Sequence, residues 1–285
     1  VTGVELIRWT GRPVLRSPAL LVAWEGWNDA GDAATTATRH IRDRLGGEPF
    51  AELDPEPFYD FTTTRPNVVL DGEVRRIVWP ENTFAAVAVD GGPRDLVVMV
   101  GVEPQLRWRT YCEQILGLAH ALDVEVVVSL GALIAEVAHS RPTTIFGASY
   151  DTELAARLDL APSRYEGPTG IVGVFHDAAR RAGLGSVSLW ATVPTYVPHA
   201  PSPKAALALV QRVSELLALR VPTATLEVGS AAYERQITEL VADDEDTSAY
   251  VDALERQFDE DHDHADPAEA SVLVEEVERF LRDQG

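Results

Sequence analysis

The segment Leu20–Ala34, LLVAWEGWNDAGDAA, constrains the fold of this chain more than any other stretch of it. A short apolar run ends in Glu25-Gly26-Trp27-Asn28-Asp29-Ala30-Gly31 and passes at once into an Ala/Thr-rich helical stretch. A strand that turns directly into a helix belongs to α/β architecture. Sites in such proteins collect at this junction, because the helix start presents unpaired N–H groups at the C-terminal edge of the strand.

The same grammar recurs along the chain. Val- and Leu-rich runs at Leu20–Trp24, Arg75–Trp79, Phe84–Asp90, Leu96–Val102, Val124–Leu130, Thr144–Ala148 and Val187–Val193 read as strands. Several are continuously apolar, which suits strands covered on both faces. Helical periodicity occupies Ala30–Leu45, Gln105–Leu122, Thr152–Leu158, Gly170–Ala182 and Ser202–Leu219, the last opened by Pro203. Gly183 is placed to end its helix. Phe50–Thr64, with Pro55 and Pro57, reads as a loop or excursion at the sheet edge. The alternation predicts a three-layer α/β/α sandwich around a mixed, mostly parallel sheet over residues 1–225.

Residues 226–285 differ in character. From Ala231 to Gly285 there are 18 acidic and 4 basic residues, against 27 and 20 in the first 230. Ile237, Leu240, Val241, Tyr250, Val251, Leu254 and Phe258 form a helical stripe interrupted around Asp243–Asp246. Asp266-Pro267-Ala268-Glu269 is a helix start with N-cap, proline and acid in place. This predicts an acidic helical hairpin whose apolar stripe docks on the body or on another chain.

Charge and cysteine usage narrow the function classes. The formal net charge of −21 opposes phosphate at every approach, so no nucleic-acid partner is expected. No apolar run is long enough to span a bilayer. Val1–Thr10 lacks a basic region followed by an apolar core, so no secretory signal is expected either. The single cysteine, Cys112, fits a reducing cytoplasm and reads as a small core residue.

Five turns follow or precede apolar runs. The first, Gly26–Gly31, offers Asn28 or Asp29 as a helix cap and two glycines as a backbone anion nest. Gly101–Arg109 (GVEPQLRWR) puts Glu103 at the same sheet edge if its strand neighbours the first, with Arg107 or Arg109 able to clamp a carboxylate or phosphate. Gly131–Pro142 brings Glu136 and His139 after a third strand. Glu166–Gly173, with Gly167 and Gly170, is a second candidate nest, and Thr192–Lys204 carries His199 and the only lysine, Lys204. The candidate cleft or interface thus comprises Trp27, Asn28, Asp29, Glu103, Arg107, Arg109, Glu136, His139 and Lys204. Each admits a structural reading as cap, packing or ion pair beside the functional one.

Catalytic signatures are missing. There is no GxxxxGK[ST], no GxGxxG and no GxSxG, so Ser140 beside His139 is not read as a nucleophile. Glu260–Asp266 has neither EF-hand spacing nor a zinc set and reads as a solvated linker. No catalytic residue, cofactor or metal is assigned.

Taken together, Gly26-Trp27-Asn28-Asp29-Ala30-Gly31, Gly101-Val102-Glu103-Pro104, Leu130-Gly131-Ala132-Leu133, Tyr165-Glu166-Gly167-Pro168-Thr169-Gly170 and Pro201-Ser202-Pro203-Lys204-Ala205 occur in an order that resembles the proteasome assembly chaperone 2 family, in its actinobacterial form. The resemblance implies a phosphorylase/hydrolase-like α/β/α fold and homo-oligomers, trimers among them. It also implies proteasome subunits as partners. Archaeal members engage the proteasome through a C-terminal tail of hydrophobic residue, tyrosine and any residue. This sequence as given ends Phe280-Leu281-Arg282-Asp283-Gln284-Gly285, which departs from that pattern.

Two functions are therefore in competition. One is a non-enzymatic, homo-oligomeric, cytoplasmic scaffold or assembly-chaperone-like protein acting on proteasome subunits. The other is a small-ligand binder or hydrolase/phosphorylase-like enzyme using the cleft at the strand ends. A third possibility makes the motif turns a subunit interface, with Trp24, Trp27, Trp108 and Trp190 as aromatic anchors.

Overall fold

The computed structural model describes residues 4–158, 160 and 166–263. The apolar run Leu20–Trp24 lies in strand β2 (Ala19–Glu25), and its burial shows why it is continuously apolar. Ala19, Leu21 and Ala23 face one side of the sheet; Leu20, Val22 and Trp24 face the other, and all six are buried. Burying Leu20, Leu21 and Val22 contributes roughly 1.5–3 kcal/mol each, which helps fix β2 in the middle of the structure.

Eight strands form the sheet. Besides β2 they are β1 (Ile7–Trp9), β3 (Glu48–Leu53), β6 (Asn82–Val87), β7 (Leu96–Val102), β8 (Val126–Ala135), β9 (Ile145–Ala148) and β10 (Gly185–Pro194). Their spatial order is β1-β3-β6-β7-β2-β8-β10-β9. The four central strands β7, β2, β8 and β10 are parallel to one another, while β6, β3 and β1 on one flank and β9 on the other are each added by antiparallel pairing. The three-layer α/β/α sandwich with a mixed sheet is thus what the structure shows, and the parallel description applies to its centre.

Helices α1 (Ala33–Arg44) and α5 (Pro203–Leu217) cover one face. Helices α2 (Trp108–Ala121) and α4 (Ile171–Arg181) cover the other. A short helix, α3 (Thr152–Arg157), is capped by the Asp151 carboxylate through the Glu153 and Leu154 N–H groups. Ser202 caps α5 through the Ala205 N–H at 3.2 Å, with Pro203 in its first turn. The C-terminal extension is helical: α6 (Ala224–Ala242) lies on α5 and α7 (Glu245–Asp263) on α6, with the break at Asp243–Asp244. Ala138, Val197, Tyr233, Ile237, Val241, Val251 and Leu254 form their small core against the body.

Three sequence expectations need correction. Phe50–Leu53, read as loop, is strand β3; Pro49 is tolerated because the β3–β6 register shifts between Pro49 and Ala51. Arg75–Trp79 is not in the main sheet. It corresponds to β5 (Val74–Val78), which pairs with β4 (Asn67–Asp71) as a separate hairpin turned by Gly72 at φ +64°. Glu260–Asp263 is the last turn of α7 rather than a linker. The remainder of that run and the helix start at Asp266 lie outside the described residues. Among the described residues no helix is long and apolar enough to cross a membrane.

Candidate functional site

The turn after β2 depends on Gly26. Its φ of +129° is a conformation that residues with side chains rarely adopt. This turn sends Trp27 outward, 54% exposed, and Asn28 inward, 2% exposed. Because β7 is the parallel neighbour of β2, Glu103 does stand at the same edge, and its N–H donates to the Glu25 carbonyl at 2.8 Å.

The Glu103 carboxylate is the centre of this edge. It accepts from Asn28 Nδ2 at 2.9 Å, from the Ile171 N–H at 2.9 Å and, more weakly, from the Trp27 N–H at 3.4 Å. Ile171 opens α4, so Glu103 occupies the place at the helix N-terminus that an external anion would take. A β-carbon on Gly170 would fall 2.6 Å from Asn28 Oδ1 and 3.0 Å from Glu103 Oε1, so glycine is what lets α4 approach. Asn28 Oδ1 is buried with no hydrogen-bond partner.

In front of this edge lies an open cleft of about 580 Å³. Glu25, Gly26, Trp27, Glu103, Trp108 and Gly170 are among its lining residues. Its lining joins two carboxylates, Glu25 (paired with Arg39) and Glu103, and two tryptophans to otherwise uncharged residues, and Trp108 Nε1 donates to the Pro104 carbonyl at 2.6 Å. Arg107 and Arg109 are both exposed at the start of α2 and do not line the cleft. Arg107 has φ +53° as the residue preceding the helix. Gly167 is exposed and outside the cleft lining as well.

Asp29 turns away from the cleft into the start of α1. It accepts from the Ala34 N–H at 2.7 Å and the Thr35 N–H at 3.3 Å, and from the Thr35 hydroxyl. Burial is the largest influence on it, and its pKa is pushed up to about 6. Gly31 serves the backbone: its carbonyl accepts from the Ser202 N–H at 2.7 Å, tying the β2 turn to the start of α5.

Glu136, His139 and Lys204 do not join Glu103. They lie where α6 and α7 meet the body. His139 Nδ1 contacts the Tyr196 hydroxyl at 2.8 Å and Nε2 contacts Thr238 Oγ1 at 2.9 Å. Burial, and then the Lys204 ammonium, lower the His139 pKa. Lys204 Nζ donates to the His139 carbonyl at 2.5 Å and pairs with Glu234 of α6. Its side chain is 13% exposed, unlike the solvated lysine that a helix start would tolerate. Arg141 grips Asp259 of α7 through two bonds, at 2.7 and 2.8 Å, while Ser140 pairs with Glu255 and Tyr250 reaches Glu136 at 3.3 Å. His199 is exposed.

Two buried polar chains escaped sequence reading. Trp24 Nε1 donates to the Tyr111 hydroxyl at 2.7 Å, which donates to Asn82 Oδ1 at 2.5 Å. Asn82 Nδ2 donates in turn to the Tyr59 hydroxyl at 2.5 Å, which ends on the Val102 carbonyl at 2.6 Å. The second chain runs Ser129 Oγ, His176 Nε2 at 2.6 Å, His176 Nδ1 and Ser186 Oγ at 2.8 Å. All three residues are buried, and burial pushes the His176 pKa down to about 4. The serines interrupting Val128-Ser129-Leu130 and flanking Val187 were the visible signal. Cys112 is buried too, its thiol pushed up to about 12 by burial, which makes it an inert core residue.

The model of the PAC2 family matches residues 23–241, a span that includes the β2 turn, the Glu103 edge and α6. The chain belongs to the PAC2 family. Among solved structures it is similar to a PAC2 family protein from Streptomyces avermitilis, with 46% identity and a TM-score of 0.78 over 82% of this chain and 99% of that one. It is also similar to a proteasome-assembly chaperone homologue from Mycobacterium tuberculosis, with 44% identity and a TM-score of 0.75 over 82% and 99%. Pyrococcus furiosus PbaB, an archaeal proteasome activator, shares the fold at 16% identity, with a TM-score of 0.68 over 82% of this chain and 97% of that one. No curated protein matches the chain. The PAC2 match spans both regions, the Glu103 edge and most of α6.

Proposed function

We propose that this PAC2 protein is a non-enzymatic, homo-oligomeric scaffold of assembly-chaperone type that acts on proteasome subunits in the cytoplasm. The observation that carries this reading is the β4–β5 hairpin. All ten of its strand residues are exposed, and they include Val68, Val69, Leu70, Val74 and Ile77. A two-stranded hairpin is marginal alone in water, and a cluster of exposed apolar side chains marks a surface that other protein covers.

The polar groups at the strand ends support the same reading. Glu103 is engaged with Asn28 and α4, while Lys204 and His139 hold α6. Residues that a ligand site would share are instead divided between two structural tasks. The name of the Mycobacterium tuberculosis relative points the partner assignment toward the proteasome.

The test mixes the purified protein with separately purified proteasome α and β subunits and follows complex formation and core-particle assembly on native gels. Binding to a subunit or a changed assembly rate is expected. Absence of both, with no change of assembly in a deletion strain, overturns the partner assignment. The enzyme alternative is tested by thermal shift with phosphate, nucleosides and nucleotides, for which no stabilisation is expected.

A further inference from the structure

Tyr196 and Thr238 together fix the protonation state of a buried histidine at the seam between the body and the C-terminal helices. His139 stands in the loop after β8, Tyr196 in the loop after β10 and Thr238 on α6. The Tyr196 hydroxyl already accepts from the His139 backbone N–H at 2.7 Å, so its own proton is left for His139 Nδ1 at 2.8 Å. Thr238 Oγ1 donates to the Glu234 carbonyl at 2.8 Å, so it accepts from Nε2 at 2.9 Å. Both contacts assign the same neutral tautomer, with the ring proton on Nε2. A second ring proton, on Nδ1, would point at the Tyr196 proton and set the two donors against each other.

The surroundings do not welcome that second proton. On α5, the Lys204 ammonium donates to the His139 carbonyl at 2.5 Å and pairs with Glu234 of α6. On α7, Glu255 is bonded to Ser140 and paired with Arg141, and Arg141 also holds Asp259. In the loop of His139 itself, Glu136 accepts from Tyr250 of α7 at 3.3 Å. Tyr233 of α6, in the small core beside Tyr196, adds a neutral phenol. Burial and then Lys204 lower the His139 pKa, and Glu255 and Glu234 offset them only in part.

We propose that His139 is an acid-sensitive latch: a proton taken up on Nδ1 breaks the bond to Tyr196 and frees α6 and α7 from the body. Opening uncovers Ala138 and Val197 at the C-terminal ends of β8 and β10, together with the apolar stripe of the two helices. The direction follows from linkage. While the latch is closed, the His139 pKa lies below the ordinary 6.5, and opening restores it. The closed state is therefore favoured above pH 6.5 and weakens as pH falls. Between pH 7.5 and pH 5.5 the open fraction rises by at most about tenfold.

Hydrogen exchange on the full chain, read by mass spectrometry at pH 7.5 and pH 5.5 and corrected for intrinsic exchange rates, tests the latch. In the wild type, protection over α7 and the second half of α6 is expected to fall about three- to tenfold at pH 5.5, with β2 and β8 unchanged. His139→Gln has polar groups in place of the ring and no titration in this range, so no such fall is expected; His139→Asn is the second variant. Nitrogen-15 shifts of the wild-type ring give a reading independent of any variant: Nδ1 unprotonated at pH 7.5, and a titration midpoint below 6.5. Protection that ignores pH in the wild type overturns the latch, as does a variant that falls as far as the wild type. Loss that spreads equally into β8, or a His139 midpoint at or above 6.5, overturns it too.

Discussion

Gly101 of β7 lies directly opposite Asn82 of β6, and a β-carbon on Gly101 would sit 1.8 Å from Asn82 Oδ1. Asn82 is fully buried and joins Tyr59 to Tyr111 and, through it, to Trp24. The glycine therefore guards a hydrogen-bond chain, whatever its place in a family motif. Gly101→Ala forces Asn82 out of that chain and strands buried polar groups. The expected loss is about 2–4 kcal/mol of unfolding free energy, from overpacking plus unmade hydrogen bonds. Urea denaturation checks it. Combining Gly101→Ala with Asn82→Ala should cost clearly less than the two single losses added together.

Glu103 supports a second prediction through its bonds to Asn28 and Ile171. Both donate to the same oxygen, Oε1, so Glu103→Gln keeps an acceptor for both and loses the charge at the α4 N-terminus, for an expected loss of about 1 kcal/mol. Glu103→Ala leaves the Asn28 amide and the Ile171 N–H unpartnered and should cost about 2–3 kcal/mol. Equal losses in the two variants would contradict the role of Glu103 as an internal anion.

The C-terminal helices hang on polar contacts around a small apolar core. Lys204→Met removes the Glu234 pair and the bond to the His139 carbonyl. Hydrogen exchange should then accelerate in α6 and α7, with local opening easier by about 1–2 kcal/mol, while β2 and β8 keep their protection. Uniform acceleration across the sheet would show that the helices are not a separately opening unit.

What sequence reading could reach followed from burial on two faces. Leu96–Val102 was legible to the residue because both faces of β7 are apolar and turn residues bound it. The neighbourhood of Glu103 and Asn28 was legible for a related reason, since two buried parallel strands set side by side bring their C-terminal turns together. β3 was hidden by Pro49 and by polar Glu48 and Glu52, which an edge-side strand tolerates. β4 was hidden because its side chains are all exposed, leaving no period of burial to read. The division of Glu136, His139 and Lys204 from Glu103 was not legible either. It depends on where α6 and α7 dock, and an apolar stripe does not say which surface it will meet.

Two buried groups with opposite shifts contribute to the acid response. His176 ordinarily titrates near 6.5, but the folded core pushes it down to about 4. Between those values the unfolded chain holds a proton that the native protein does not, so this group contributes stability above pH 6.5 and loses it as pH falls toward 4. Asp29 behaves oppositely. Its pKa of about 6 exceeds the ordinary 3.8, so the native state holds the extra proton and gains stability as pH falls from 6 toward 4. Each amounts to roughly 3 kcal/mol by the conversion of 1.36 kcal/mol per pH unit, and in the wild type they largely cancel. Asp29→Asn removes the acid-side gain and keeps a side-chain oxygen for the Ala34 N–H. Relative to wild type, its unfolding free energy should therefore fall by up to about 3 kcal/mol between pH 6.5 and pH 4. His176→Asn should show the reverse difference over the same range. Urea titrations at half-unit pH steps measure both, and difference profiles that stay flat for the two variants would mean that neither group is held in the state its burial implies.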